Sequence, residues 1–191
     1  MMKSISFDEY AQLEQFISQE DAARIKAELL TCPEVDTSLT GTIIELSKNH
    51  AKSVLITSNE MVSDELGLIH DSFIFCAASY VAQAAVNKEY SMLIGSKNNF
   101  YSPLKLGDIL ILEAQALFDE NSKKREVKVV GHVNEIKIFE SSIQIVVTDD
   151  HIFRLKRPPS TNTKPQEEEK EEQKPNMEAA MAQAMLKNLA T

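Results

Sequence analysis

Hydrophobic and polar positions along the chain change period repeatedly, and each change marks a different kind of element. Over residues 7–30 apolar side chains recur at helical spacing: Tyr10, Leu13, Phe16 and Ile17, then Ala22, Ile25, Ala27, Leu29 and Leu30 beyond a polar break at Ser18–Asp21. Pro33 ends that region. From Thr40 two β-rich runs, TGTIIELS and KSVLITS, flank Lys48-Asn49-His50 and predict a hairpin. A polar stretch, Asn59–Glu65, leads to Gly67, after which Asp71–Val86 is small or apolar except at Ser72, Ser79, Tyr80 and Gln83. A helix apolar around its whole circumference must be largely buried. Its alanines, among them Ala77, Ala78 and Ala82, thin its surface so that a sheet can approach closely.

Extended runs follow: SMLIGSKNNFY, DILILEAQALF, REVKVVGHVNE and KIFESSIQIVVTD. Short polar or glycine-containing links at Pro103–Gly107, Asp119–Lys124 and Asn134–Glu135 predict an antiparallel meander. Packing the apolar helix on the concave face of that sheet buries both. Beyond Arg157 the sequence PPSTNTKPQEEEKEEQKP has almost nothing to bury and reads as a disordered linker over residues 156–175. Residues 176–191 recover a pattern, with Met177, Met181, Met185 and Leu189 four residues apart, an adaptable apolar stripe suited to docking on a protein partner. The chain thus divides into a helical segment (1–38), a helix-and-sheet domain (39–155), a linker and a terminal amphipathic helix.

Charge and cysteine usage narrow the classes. The formal net charge is -9 and no segment is basic; the local cluster Lys123-Lys124-Arg125 falls in a predicted turn, so a nucleic-acid surface is not expected. No run approaches the ~20 apolar residues of a membrane span, and the N-terminus lacks the pattern of a secretory signal, so the expected location is cytoplasmic. Cys32 and Cys76 lie far apart, and Cys76, within FIFCAASYVAQAAV, is expected to be a small buried hydrophobe rather than a disulfide partner or metal ligand.

The order of hairpin, alanine-rich helix and antiparallel strands over roughly residues 39–155 resembles the hotdog superfamily of acyl-CoA thioesterases, dehydratases and acyl-CoA sensors. Gly67 and His70-Asp71-Ser72 stand where thioesterases similar to the phenylacetate-pathway enzymes have a G-x-x-H-G-G turn into the helix. Asn98-Asn99-Phe100-Tyr101-Ser102-Pro103 with Gly107-Asp108 resembles a strand of the same family. Gly41–Leu46 and the set Phe75, Ala78, Ala82 and Ala84 resemble the effector domain of a malonyl-CoA-responsive repressor of lipid synthesis, whose DNA-binding segment has only a short acidic stretch in its place here. The resemblance implies an α+β hotdog fold, a long central helix wrapped by a curved antiparallel sheet. It implies a homodimer, since edge strands are otherwise left unpaired. Acyl-CoA or CoA is the implied ligand, with no cofactor required and no metal.

Hotdog thioesterases, as the resemblance implies, aim amides at a helix N-terminus towards the thioester carbonyl and use a carboxylate to attack or to activate water. A helix beginning near Asp71 leaves its first amides available for this. The acid of the phenylacetate-pathway type corresponds to about Ser79, and the helix has no Asp or Glu after Asp71. The candidate catalytic residues are therefore His70 and Asp71, with Glu60, Asp64 and Glu65 in reach from the preceding loop. Asp and Ser at a helix start are equally ordinary caps. Candidate ligand-binding residues are Gly67, Ser72, Phe73, Ser79, Asn98, Asn99 and Phe100. The asparagines are included because amides within a strand need partners. Phe73, with Phe75 and Tyr80, fits either an acyl tunnel or plain core packing. Three readings follow: a ligand-responsive acyl-CoA-binding dimer, an acyl-CoA thioesterase using Asp71 and His70, and a dimeric scaffold presenting its terminal helix to a partner. A dehydratase of the Asp-x-Asn-Pro-x-x-His type is disfavoured, because Asp64–His70 lacks the Asn and the Pro.

Overall fold

The computed structural model describes residues 12–117 and 122–155. In chain order its helices are α1 (Gln19–Glu28), the single turn α2 (Thr37–Thr40) and α3 (Asp71–Val86). Its strands are β1 (Thr42–Ser47), β2 (His50–Ile56), β3 (Ser91–Phe100), β4 (Ile109–Leu117), β5 (Lys124–Val133) and β6 (Ile136–Val147). All six form one antiparallel sheet in the order β1-β2-β4-β5-β6-β3, and α3 shares its buried core with the inward side chains Leu55, Leu112, Val129 and Ile143. The long helix enclosed by a curved antiparallel sheet, and the hairpin turning at Lys48-Asn49, are as expected.

The meander is only partly realised. Strands β4, β5 and β6 follow it, but β3 pairs with β6, from Ser91 opposite Val147 to Phe100 opposite Phe139, and lies at the far edge of the sheet. Both edges of β4 are already taken, by β2 and by β5, so β3 cannot join it. The segment from Tyr101 to Asp108 is therefore a crossover over three strand positions, about 14 Å at ~4.8 Å per strand. Ile94 is the extra residue where the β3 register shifts between Leu93 and Gly95.

The polar break inside the N-terminal pattern is a helix start. Ser18 caps α1 by accepting from the Asp21 amide at 3.1 Å. Tyr10 and the rest of residues 1–11 lie outside the described residues, as do the predicted linker and terminal helix. The other end of α1 is fastened to α3 by Asn87, which ends α3 in the left-handed conformation (φ 46°, ψ 60°) that Asn tolerates. The Asn87 side chain accepts from the Leu30 amide at 2.8 Å and donates to the Glu28 carbonyl at 3.0 Å.

Cys76 departs from expectation: it is exposed. A sheet curved around one helix reaches only part of its circumference, and the apolar composition of α3 conceals a side that a single chain leaves open. Ser72, Cys76, Ser79 and Gln83 fall within about 60° of one another at 100° per residue, with Phe75 beside them, and each is exposed or half-buried. Among the described residues no helix is long and apolar enough to cross a membrane, and no group of His, Cys, Asp and Glu is arranged to hold a metal ion.

Candidate functional site

The amino end of α3 is set by a loop bonded to its neighbours at nearly every step. Gly67, at φ 83°, turns the chain so that its carbonyl accepts from the Leu106 amide at 2.8 Å; the Ile69 amide donates to Leu104 and the His70 amide to Met61. Gly67 thus holds the loop's shape. Asp64 is engaged in the same turn, its carboxylate accepting from the Leu66 and Leu68 amides at 2.9 and 3.0 Å. Glu60 and Glu65, in reach by sequence, are exposed on the same loop, and Asp71 stands at the helix start itself, also exposed at the surface.

His70 is the N-cap of α3. The Ser72 amide donates to His70 Nδ1 at 3.2 Å, and the Ser72 hydroxyl lies 2.9 Å from the same nitrogen. With Nδ1 accepting, the proton of the neutral ring sits on Nε2. This corrects the expectation that the first amides of α3 stand open, because the imidazole already occupies that of Ser72 and the Phe73 amide donates to the His70 carbonyl at 3.0 Å. The Asp71 amide, the helix dipole and any amide that His70 gives up remain as sources of positive potential.

Two turns along the open stripe, Ser79 occupies the position expected for an acid, and its hydroxyl donates to the Cys76 carbonyl at 2.8 Å. In that bond the hydroxyl proton is held by a backbone carbonyl of its own helix rather than by a base. Phe73 packs against the core on the flank of α3. Tyr80 is 5% exposed and belongs to the core, where burial, with the Cys32 thiol adding to it, pushes its phenol up to about 12.

Strand β3 brings the remaining candidates alongside. It starts next to the C-terminal end of α3, where Thr31 bridges to Ser91 and Cys32 donates to Gln83. From there β3 runs back along the helix: Ser91 to Asn98 spans about 23 Å, and α3 spans about 22 Å. Beyond Phe100 the chain returns to the loop before α3, where the Ile69 amide donates to the Leu104 carbonyl at 2.9 Å, so the Asn98–Phe100 end of β3 lies towards the amino end of α3. Asn98 pairs with buried Ser141 and Phe100 with buried Phe139, so both face the helix side of the sheet, and the Phe100 and Phe139 rings lie 5.0 Å apart. Asn99 is not part of this group. Alternation turns it to the outer face opposite Glu140, whose carboxyl a 2.7 Å hydrogen bond from Lys137 holds below its usual range.

Ser72 and Ser79 thus lie on the open side of α3, with His70 and Asp71 at its head and the Asn98–Phe100 end of β3 towards the same end, while Gly67 shapes the loop before it and Phe73 packs on its flank. Sequence reasoning missed Ser96 and Ser141, which join Asn98 in a side-chain ladder. Their signal was a serine at an inward position of the alternating run KIFESSIQIVV. A cavity of about 310 Å³ lies elsewhere, at the opposite end of α3, among Glu28, Lys48, Asn87, Lys88 and Arg125.

No family model matches the chain. A methylthioribose-1-phosphate isomerase from Aquifex aeolicus is 32% identical over 120 residues, which are 63% of this chain but 26% of the isomerase, so the chain spans about a quarter of that relative. The crystal structure of Cj0977, a sigma28-regulated virulence protein from Campylobacter jejuni, matches with a TM-score of 0.73 and 68% identity, over 74% of this chain and 99% of that one. Two more distant structures share the fold at a TM-score of 0.55. One is smu.793 from Streptococcus mutans bound to acetyl CoA (15% identity; 63% of this chain, 98% of that). The other is a hypothetical thioesterase with coenzyme A from Streptococcus pneumoniae (13% identity; 70% and 99%).

Proposed function

Because this chain has the hotdog fold and belongs to the family of Cj0977, we propose that it binds an acyl-CoA or a related acyl thioester as a homodimer and acts through the bound ligand rather than through turnover. The observation that carries this reading is the open side of α3. It has hydrogen-bonding groups at its head, but beyond Asp71 it offers hydroxyl, thiol and carboxamide groups where hydrolysis needs an acid. The acetyl CoA and coenzyme A held by neighbours of the same fold supply the ligand class.

In this reading the Asp71 amide and the positive end of α3 face the thioester oxygen, which carries the partial negative charge. Asn98 donates to a carbonyl farther along the ligand, and Phe73 and Phe100 border its acyl part. A second copy covers the rest. The outer edge of β3 has no strand beside it among the described residues, and Met92 and Ile94, the latter 45% exposed, lie along it. A ten-residue strand left in this state is an open template for pairing, and pairing there also brings a partner to the open stripe of α3.

One observation favours turnover instead: the exposed Asp71 carboxylate at the head of α3 follows His70 directly in the chain and is a candidate base for activating water. Titration calorimetry with acetyl-CoA and longer acyl-CoAs, run beside a thiol-release assay on the same preparation, separates the readings. Saturable binding with negligible thiol release is the expected result. Absence of binding at every chain length, with light scattering reporting an intact dimer, rejects the proposal. Rapid release that collapses in Asp71→Ala establishes the hydrolase.

A further inference from the structure

Where β6 meets β3, the helix-facing surface of the sheet turns polar. Ser141 is 2% exposed and occupies an inward position between Phe139 and Ile143, opposite Val129, where the alternation calls for an apolar side chain. Its hydroxyl donates to Asn98 Oδ1 at 2.6 Å, and Asn98 Nδ2 donates to Ser96 Oγ at 3.2 Å. A buried hydroxyl gains little net stability from one hydrogen bond, and an apolar residue of similar size would fill the same space. Here the bond reaches a half-buried side chain on the edge strand, at the end of β3 that leads into the segment bonded to the loop before α3, and restricts which way its carboxamide points. The carboxamide nitrogen carries two N–H groups, and Ser96 takes one of them.

Resting on the acyl-thioester reading, we infer that Ser141 is a positioning residue: it anchors Asn98 Oδ1 in the core, so that Nδ2 presents its second N–H to an amide or thioester carbonyl of the ligand. Without Ser141 the carboxamide rotates, and its oxygen faces the ligand as readily as its nitrogen. The selectivity is then for ligands with a carbonyl acceptor at that point along their length.

The test measures affinity for acyl-CoA and for the matching neutral N-acetylcysteamine thioester, with Tm followed in parallel. Ser141→Ala is expected to weaken both ligands about tenfold, and Ser141→Thr, which restores the hydroxyl, to recover most of the loss. Asn98→Asp is the decisive variant, because its carboxylate accepts from both serine hydroxyls and keeps the ladder while having no N–H to offer. It should hold its Tm and lose affinity even for the uncharged thioester, and it serves equally if Ser141→Ala fails to fold. Wild-type affinity in Asn98→Asp overturns the inference and leaves the acyl-thioester reading standing, and equal losses in Ser141→Thr and Ser141→Ala overturn it as a packing effect. Failure of the wild-type protein to bind either ligand removes both.

Discussion

Replacing His70 separates what that residue does for the helix from what it does for chemistry. In the folded protein its Nδ1 accepts from the Ser72 amide at 3.2 Å, while its own amide is fixed by the Met61 carbonyl at 3.0 Å. His70→Ala removes the first bond and leaves the second. The Ser72 amide is one of those without a partner inside the helix. Losing a side-chain cap costs about 1 kcal/mol, and exposure of Ser72 to water keeps the loss towards the low end of the usual 0.5–2 range. For a domain of this size that lowers Tm by about 2–4 °C. His70→Asn supplies a good capping side chain without an imidazole and should restore most of that shift. Thermal unfolding followed by circular dichroism, beside the thiol-release assay, reads both effects. If His70→Asn is as unstable as His70→Ala, or neither differs from wild type, His70 Nδ1 is not the cap. If His70→Asn keeps its Tm but loses residual thiol release, the imidazole acts in the chemistry and the hydrolase reading gains.

Asn87→Gly keeps the left-handed C-cap of α3 and loses the bonds to Leu30 and Glu28, about 2 kcal/mol, whereas Asn87→Ala adds a backbone penalty of ~1 kcal/mol; equal urea midpoints for the two variants would contradict this. Tyr80 gives an alkaline signature. The unfolded chain loses the phenolic proton near pH 10 while the folded protein keeps it to about 12, so the folded state binds more protons in that window. Stability therefore falls as pH rises from 10 to 12, by up to about 3 kcal/mol at ~1.4 per unit, and Tyr80→Phe should flatten this part of the urea-midpoint profile; an unchanged slope would count against it. Gly131→Ala would set a Cβ 3.0 Å from Leu112 Cδ2 and 3.1 Å from Phe139 Cβ, and is expected to cost about 1–3 kcal/mol in denaturant melts; a neutral result would mean that this part of the core yields freely.

The sequence alone determined the local elements. The bounds of α3 follow from where polarity disappears and returns, and the β1–β2 hairpin from two β-branched runs around Lys48-Asn49, whereas the polar break at Ser18–Asp21 showed itself as the start of α1 only in the folded chain. The candidate site was legible as far as its strongest pattern, His70-Asp71-Ser72 before an apolar helix and the lack of an acid near Ser79. Tertiary structure decided the rest. Alternation in SMLIGSKNNF states which side chains share a face but not which strand lies beside them, and β3 went to the far edge because β2 and β5 had closed off β4. That placement put Asn98 over Ser141 and Asn99 on the outer face, although the two residues are adjacent in the chain. The apolar circumference of α3 likewise implied burial on every side, and only the limited reach of one curved sheet exposed Cys76 and the stripe around it. Periodicity belongs to a single segment and is written in its residues, whereas neighbours and open faces depend on how distant segments share a finite set of edges, which no local pattern encodes.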